Sequence, residues 1–297
     1  MKTITTFNDL LIECENTNKK IYEIAQEVEA NIAETSISVV RKQTLDVVNA
    51  MKESISEGVK SSEMSMSKMV GADCKKLQDY YEKNNGLFSS THKNVLKYAL
   101  ATAEQNARMG KIAACPTAGA CGIVPAAIIG VAQRQDVDEE KLIDALLTAG
   151  VIGKIIAIKT ALAGAVGGCQ NECGVAAGMA AGAVVEIMGG TNSQILNAAA
   201  LAIKNILGLA CDPIAGLVEV PCVKRNPFLA IHSITAAEMA LAGIESVVPV
   251  DEVIDALKQI GALMPPVLKE SAQAGLATTI TGLKITEKLN AIWKNSV

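Results

Sequence analysis

From Ile37 to Ile55 the apolar residues Ile37, Val40, Leu45, Val48, Met51 and Ile55 recur at helical spacing, with Lys, Glu and Gln between them. This stretch is the second of two amphipathic helices expected to open the chain, packed on the core or on a partner. Glu57 to Gly71 loses the periodicity. It is rich in Ser, Met and Lys, with Ser61, Ser62, Ser65 and Ser67 among them, and reads as a loop that covers a site. A helical pattern returns from Ser90 or Thr91 to Met109, with Thr91 as N-cap and Gly110 at its end. Cys115 to Gly122 (C-P-T-A-G-A-C-G) is a turn, and the next helix starts near Val124-Pro125.

Asp136 or Asp138 caps a helix that carries Leu142, Leu146 and Leu147 and continues to Ile158. Ala161 to Met188 has only two charges, Glu172 and Glu186, so its helices lack a polar face and are buried on all sides. Thr191 or Asn192 caps another helix, with Ile195, Leu196, Ala199, Ile203 and Ile206 on one face and Gly208 at its end. Leu209 to Asn226 is irregular, with two prolines and two cysteines. Helices follow near Leu229–Ala242, Val250–Leu263 and Leu268–Ala274, the second stopped by Pro265-Pro266. Val218 to Val223 is the one strand candidate. No repeat, heptad or linker divides the chain. The expectation is an all-α, single globular helical domain over residues 1–297 with a buried Ala/Gly-rich core. Residues 1–60 form its N-terminal helical pair, available to a partner, and residues 61–297 form the core that carries the chemistry.

Composition sharpens this picture. Half the chain is hydrophobic while Phe, Trp and Tyr make only 3%, so the helices must approach closely through small side chains. A net charge of −4 and so few aromatics leave neither a basic face for phosphates nor a stacking platform, which excludes a nucleic-acid partner. Ile112 to Gln133 runs 22 residues without a charge, long enough for a bilayer. Pro116, Pro125 and the Thr117-Ala118-Gly119 turn interrupt it, however, and no aromatic belt flanks it. A buried core is expected, not a membrane span. Met1 to Asn18 is polar and lacks the apolar run of a secretion signal, so a cytoplasmic location is expected. The eight cysteines are then thiols or metal ligands, not disulfides.

With only His92 and His232 present, a Ser/His/Asp machine has little to work with. There is no phosphate-binding Gly-rich loop after a strand and no Asp-rich metal loop. Cysteines 115, 121, 169, 173, 211 and 222 all lie in or beside Gly- or Pro-containing turns. Soft thiolates with few histidines suit iron–sulfur or zinc. Their spacing matches neither ferredoxin runs nor zinc ribbons, and buried free thiols acting as small hydrophobes are the competing reading.

Four segments carry a resemblance: N-A-R-M-G (Asn106 to Gly110), P-T-A-G-A-C-G (Pro116 to Gly122), G-G-C-Q-N-E-C-G (Gly167 to Gly174) and C-D-P-I-A-G-L-V-E-V-P-C-V-K-R-N (Cys211 to Asn226). In this order they closely resemble the alpha subunit of the two-subunit iron–sulfur L-serine dehydratases, over nearly the whole chain. The resemblance implies cluster-binding loops and a [4Fe-4S] cluster held by Cys169, Cys211 and Cys222, with one iron left without a protein ligand. Cys173 stands where the family more often has an aliphatic residue and is taken as a neighbour. The implied reaction removes water from L-serine, with the open iron as Lewis acid, and yields pyruvate and ammonia.

Thr117, Ala118 and Gly119 are then expected to offer hydroxyl and backbone donors to the substrate carboxylate. Asn106, Asn171, Arg225 and Asn226 are further polar contacts, with a helix-end ion pair as the competing role for Arg225. Ser67 to Lys76 (S-K-M-V-G-A-D-C-K-K) resembles the family's Ser-Gly-x-x-Gly-Gly-Asp loop, with Lys68 and Ala72 in place of two glycines. The proton-abstracting base is left open among Ser67, a lysine of that loop and the partner. The implied partner is a smaller beta subunit in a hetero-oligomer. Two rivals stand beside this reading: a cysteine desulfidase-like lyase and a non-catalytic iron–sulfur sensor.

Overall fold

In the computed structural model, which describes residues 4–294, the small-residue run in the middle of the chain becomes the axis of a helical bundle. Three helices precede the loop where two were expected: α1 (Phe7–Thr17), α2 (Ile21–Ile32) and α3 (Ile37–Lys60). Asn18 stops α1 with a left-handed φ of 52°, a conformation that Asn tolerates because its short amide bonds locally. Ser36 then caps α3 by accepting from the Val39 N–H. The loop expected from Glu57 starts only at Ser61, because α3 runs on to Lys60. Next comes α4 (Asp73–Lys83), which the hydrophobic pattern does not reveal: only Cys74 of this helix is buried.

The helix α5 (Ser90–Ala107) is capped by Ser89 instead of Thr91, and ends through a left-handed Met109 before Gly110 is reached. Asp136 closes α6 (Ile123–Gln135) in a left-handed conformation, and Asp138 caps α7 (Glu139–Lys159). The apolar run that follows is broken into α8 (Gly164–Gly167), a wide π-type turn over Gln170–Gly174, and α9 (Val175–Ile187). Thr191 and Gln194 form a reciprocal capping box on α10 (Asn192–Lys204). The remaining helices are α11 (Cys222–Leu241), α12 (Val250–Leu263) and α13 (Ile280–Lys294).

Two expectations fail outright. Leu268–Ala274 is not helical, because Glu270 and Ala272 take φ of 60° and 56°. A single turn of 3₁₀ helix at Pro266–Leu268 leads instead into an irregular strap, and the last helix is α13. Val218 to Val223 forms no strand, since no neighbouring strand is there to pair with. It is a turn that enters α11 at Cys222, seven residues before the start read from Leu229. Among the described residues the only β pairings are the isolated bridges Met64–Gly71 and Cys211–Lys269.

Every residue of α9 is buried. Helices α6, α7, α10 and α11 surround it, and its glycines let them come close. A Cβ on Gly182 would lie 2.4 Å from Cδ1 of Ile152 in α7, and one on Gly178 2.7 Å from Cδ1 of Ile203 in α10. The first three helices pack on this bundle through α2 and α3, against α7 and α5. Among the described residues no helix is long and apolar enough to cross a membrane.

The α3–α5 contact yields a stability prediction. A Cβ on Gly58 would lie 2.3 Å from the Ala101 carbonyl oxygen, whereas one on Gly150 in α7 meets nothing within 4 Å. Gly58→Ala is therefore expected to cost about 1–3 kcal/mol through backbone displacement. Gly150→Ala should gain up to about 1 kcal/mol from helix propensity. Urea unfolding of the two variants checks this, and equal stabilities would refute the close packing.

Candidate active site: a thiol cluster beside a buried carboxylate

Cys169, Cys211 and Cys222 come from three separate segments. Gly168 has a φ of 78°, and a Cβ there would sit 2.9 Å from the Leu209 carbonyl, so only glycine lets the chain pass into the π turn. Gln170 then ties that turn to the next one. Its N–H donates to Leu209 O (3.0 Å), its Oε1 accepts from Gly208 N–H (2.8 Å), and its Nε2 donates to Leu257 O (3.1 Å). This clamp holds Cys169 against the segment that carries Cys211. Cys222 is the first residue of α11.

One oxygen of Glu172 and the sulfurs of Cys169 and Cys211 lie within 4.8 Å of one another. Arg225 donates from Nη1 to the Cys169 sulfur (3.1 Å) and to Ala210 O (2.8 Å), and from Nη2 to Asp212 Oδ1 (2.9 Å). The Cys173 and Cys211 thiols lie beside the Cys169 sulfur. Together with Arg225 they overcome the opposing effect of burial and pull Cys169 down to about 3. The proximity of Cys169, with burial added, pushes Cys173 and Cys211 far up. Burial, with the Cys169 charge added, lifts Cys222 to about 12. Binding a cation through these sulfurs requires the thiols to give up their protons, which couples binding to proton release.

Glu172 faces these sulfurs from the middle of the π turn. Thr117 Oγ1 donates to its Oε1 at 2.5 Å. A Cβ on Gly119 would lie 2.7 Å from that oxygen, so the Thr117-Ala118-Gly119 turn fits over the carboxylate only with glycine there. Burial raises Glu172 to about 7. The Thr117 hydrogen bond opposes this, while the charges of Cys169 and Glu270 add to it. A carboxylate in this range can hold or release a proton near neutrality.

The predicted site residues divide into those that face the thiols and those that build the frame. Thr117, Gly119 and Arg225 face the Cys169–Glu172 group. Arg225 is more than a helix-end ion pair, since it contacts the sulfur itself. Asn226 is buried and holds the turn in place, donating to Gly119 O (2.8 Å) and accepting from Gly122 N–H (2.7 Å). Ala118 closes the same turn by accepting from the Cys121 N–H (3.3 Å). The Asn171 amide is turned to the segment just after α7, donating to Ala161 O (2.7 Å) and Thr160 Oγ1 (3.3 Å). Asn106 is half-buried at the end of α5, and no side-chain hydrogen bond joins it to the thiols or Glu172 among the described residues.

Ser67 is not free. It and Ser65 donate to Glu219 Oε2 at 2.5 and 2.6 Å, which fastens the Ser-rich loop to the Cys211–Cys222 segment. Lys68 and Ala72 nevertheless keep the left-handed φ, 62° and 58°, that glycines would supply. The loop retains a glycine-type path at a cost of about 1–2 kcal/mol per residue.

Sequence reasoning passed over Glu172, Glu219 and Glu270 as site residues. For Glu172 a signal was present: a lone charge between two cysteines in an apolar run has to face something polar.

Comparison with known proteins now bears on this geometry. The serine dehydratase alpha chain family matches residues 16–277. The chain belongs to that family. It is 44% identical over 266 residues to a probable L-serine dehydratase alpha chain of Bacillus subtilis, covering 90% of this chain and 88% of the relative. It is 38% identical to the L-serine dehydratase alpha chain of Peptoniphilus asaccharolyticus, over 95% of this chain and 97% of the relative. A longer L-serine dehydratase of Streptomyces coelicolor is 43% identical over 185 residues, which is 62% of this chain but 41% of that protein. The four segments quoted above, from Asn106 to Asn226, fall inside the matched span.

Proposed function

We propose that this chain is the catalytic alpha subunit of an iron–sulfur L-serine dehydratase, working in the cytoplasm with a beta subunit. The observation that carries the proposal is the meeting of Cys169, Cys211 and Glu172 within 4.8 Å, under the Thr117 hydroxyl. The donor set fits an iron–sulfur cluster: soft sulfur ligands from separate segments, with an arginine to offset negative charge. Cys169, Cys211 and Cys222 would hold a [4Fe-4S] cluster. When bound, that cluster would supply Lewis acidity at an iron without a protein ligand.

The chain's own residues do the rest. The backbone N–H groups of Ala118 and Gly119 orient the serine carboxylate, and Thr117 holds Glu172 in place. Glu172, ionised, takes the Cα proton, and Arg225 keeps the cysteine sulfur charged and fixed. Serine loses this proton and its β-hydroxyl as water. The released aminoacrylate tautomerises and hydrolyses to pyruvate and ammonia. Asn226 and the Ser67–Glu219 link keep the two covering segments in register, and Asn106 and Asn171 support them from behind. A beta partner accords with the relatives named as alpha chains, and with a longer L-serine dehydratase of which this chain matches 41%.

The test uses the alpha–beta complex purified without air. Roughly four irons per alpha chain, an absorption spectrum that serine perturbs, and pyruvate formed from serine are expected. Faster turnover of cysteine than serine would establish the desulfidase instead. Iron without any turnover would leave a sensor, and an iron-free or zinc-loaded protein would refute the cluster.

A further inference from the structure

Beyond α12 the chain crosses the thiol site as a strap anchored at two points. The Cys211 N–H donates to Leu268 O (2.8 Å), and the Glu270 N–H donates back to Cys211 O (2.7 Å). Farther on, the Leu276 N–H donates to Asp212 Oδ2 (2.9 Å), and Asp212 is the ion partner of Arg225.

Between these anchors Glu270 holds a φ of 60°, a left-handed conformation that residues with a Cβ rarely adopt. Its carboxylate turns inward. A Cβ placed on Gly164 would lie 3.5 Å from Glu270 Oε2, 3.3 Å from Glu172 Oε2 and 3.1 Å from the Cys211 sulfur. The three groups therefore border one small space, which Gly164 leaves open. No cation of the chain answers Glu270: its side chain makes no ion pair or hydrogen bond among the described residues. Arg225, the nearby guanidinium, is engaged by Cys169, Ala210 O and Asp212.

A half-buried carboxylate aimed at a reaction site with no protein cation calls for a positive group on the ligand. An amino-acid substrate brings one. We propose that Glu270 binds the α-ammonium of the substrate, so that the enzyme selects amino acids over hydroxy acids of the same shape. This assignment rests on the serine dehydratase reading of the site, and gives Glu270 a role separate from the proton transfer assigned to Glu172.

The experiment compares wild-type alpha–beta holoenzyme with Glu270→Gln, matched for iron content. Two competitive inhibitors are used: L-alanine, which has the ammonium but no leaving hydroxyl, and 3-hydroxypropanoate, which has the hydroxyl but no ammonium. A charge-assisted hydrogen bond lost to a neutral amide corresponds to about 10–100-fold in affinity. The serine KM and the alanine Ki should rise by that factor, while the 3-hydroxypropanoate Ki moves less than about twofold and kcat stays within about threefold.

Glu270→Gly removes both the carboxylate and the strained φ. It should match Glu270→Gln in lost discrimination and raise Tm by about 2 °C. If all three constants rise together, or none moves, or Glu270→Gly is less stable and still discriminates, Glu270 is structural and the proposal is overturned. A wild-type complex that never turns over serine would instead overturn the functional reading, and this assignment with it.

Discussion

Glu172→Gln is expected to lower kcat for serine by about 10²–10⁴-fold, the usual reach of a positioned general base, without removing iron. The substitution is nearly isosteric. The Gln carbonyl oxygen can still accept from Thr117, so the turn above it and its glycine contact are preserved. What disappears is the capacity to take a proton. Burial holds Glu172 near 7, and the base works only when ionised, so wild-type kcat/KM should fall as pH drops through about that value. Glu172→Asp keeps this acid limb but withdraws the carboxylate by one methylene, and should lose activity mainly through geometry. A pH–rate series on the three proteins checks the assignment. A Gln variant that retains more than about a tenth of the activity with an unchanged acid limb would move proton abstraction elsewhere.

Cys169→Ser is expected to strip iron to background and abolish turnover, whereas Cys173→Ser should keep its iron. The two cysteines are four residues apart and both buried, so a purely hydrophobic role would make the substitutions equivalent. Their surroundings differ. Cys169 receives the Arg225 guanidinium at 3.1 Å, which helps hold its thiol well below the usual range. Cys173, beside Cys169 and buried, is pushed the other way. A hydroxyl is a poor substitute for the thiolate as a soft ligand, and Arg225 would lose one of its anionic partners. Iron and sulfide assays on both variants read this directly. Equal loss of iron from the two would refute the division between ligand and neighbour.

The helical core was legible from the chain because periodic apolar stripes and caps are local signals. α12, the Thr191 cap and the wholly buried α9 fall where the pattern puts them. α4 was hidden because Cys74 alone is buried there and the rest of the helix is polar. The strap at Leu268–Ala274 misled for the opposite reason. Its composition suits a helix, and the left-handed backbone of Glu270 and Ala272 is imposed by tertiary anchors at Cys211 and Asp212. The cysteines and the Thr117–Gly119 turn were visible as motifs. Glu172, Glu219 and Glu270 were not, since a single carboxylate has no motif and its role depends on which segments fold over it.

The enclosure of α9 bears on how the protein is made. α9 is wrapped by α6 and α7, which precede it, and by α10 and α11, which follow. During synthesis its apolar surface stays half-covered until the 54 further residues from Ile187 to Leu241 have been added. At about 5–20 residues per second this is roughly 3–11 s, a long exposure for a helix with no polar face. Cys211, Cys222 and the strap emerge within or after the same interval. Nascent chains should therefore depend on chaperones that shield α9.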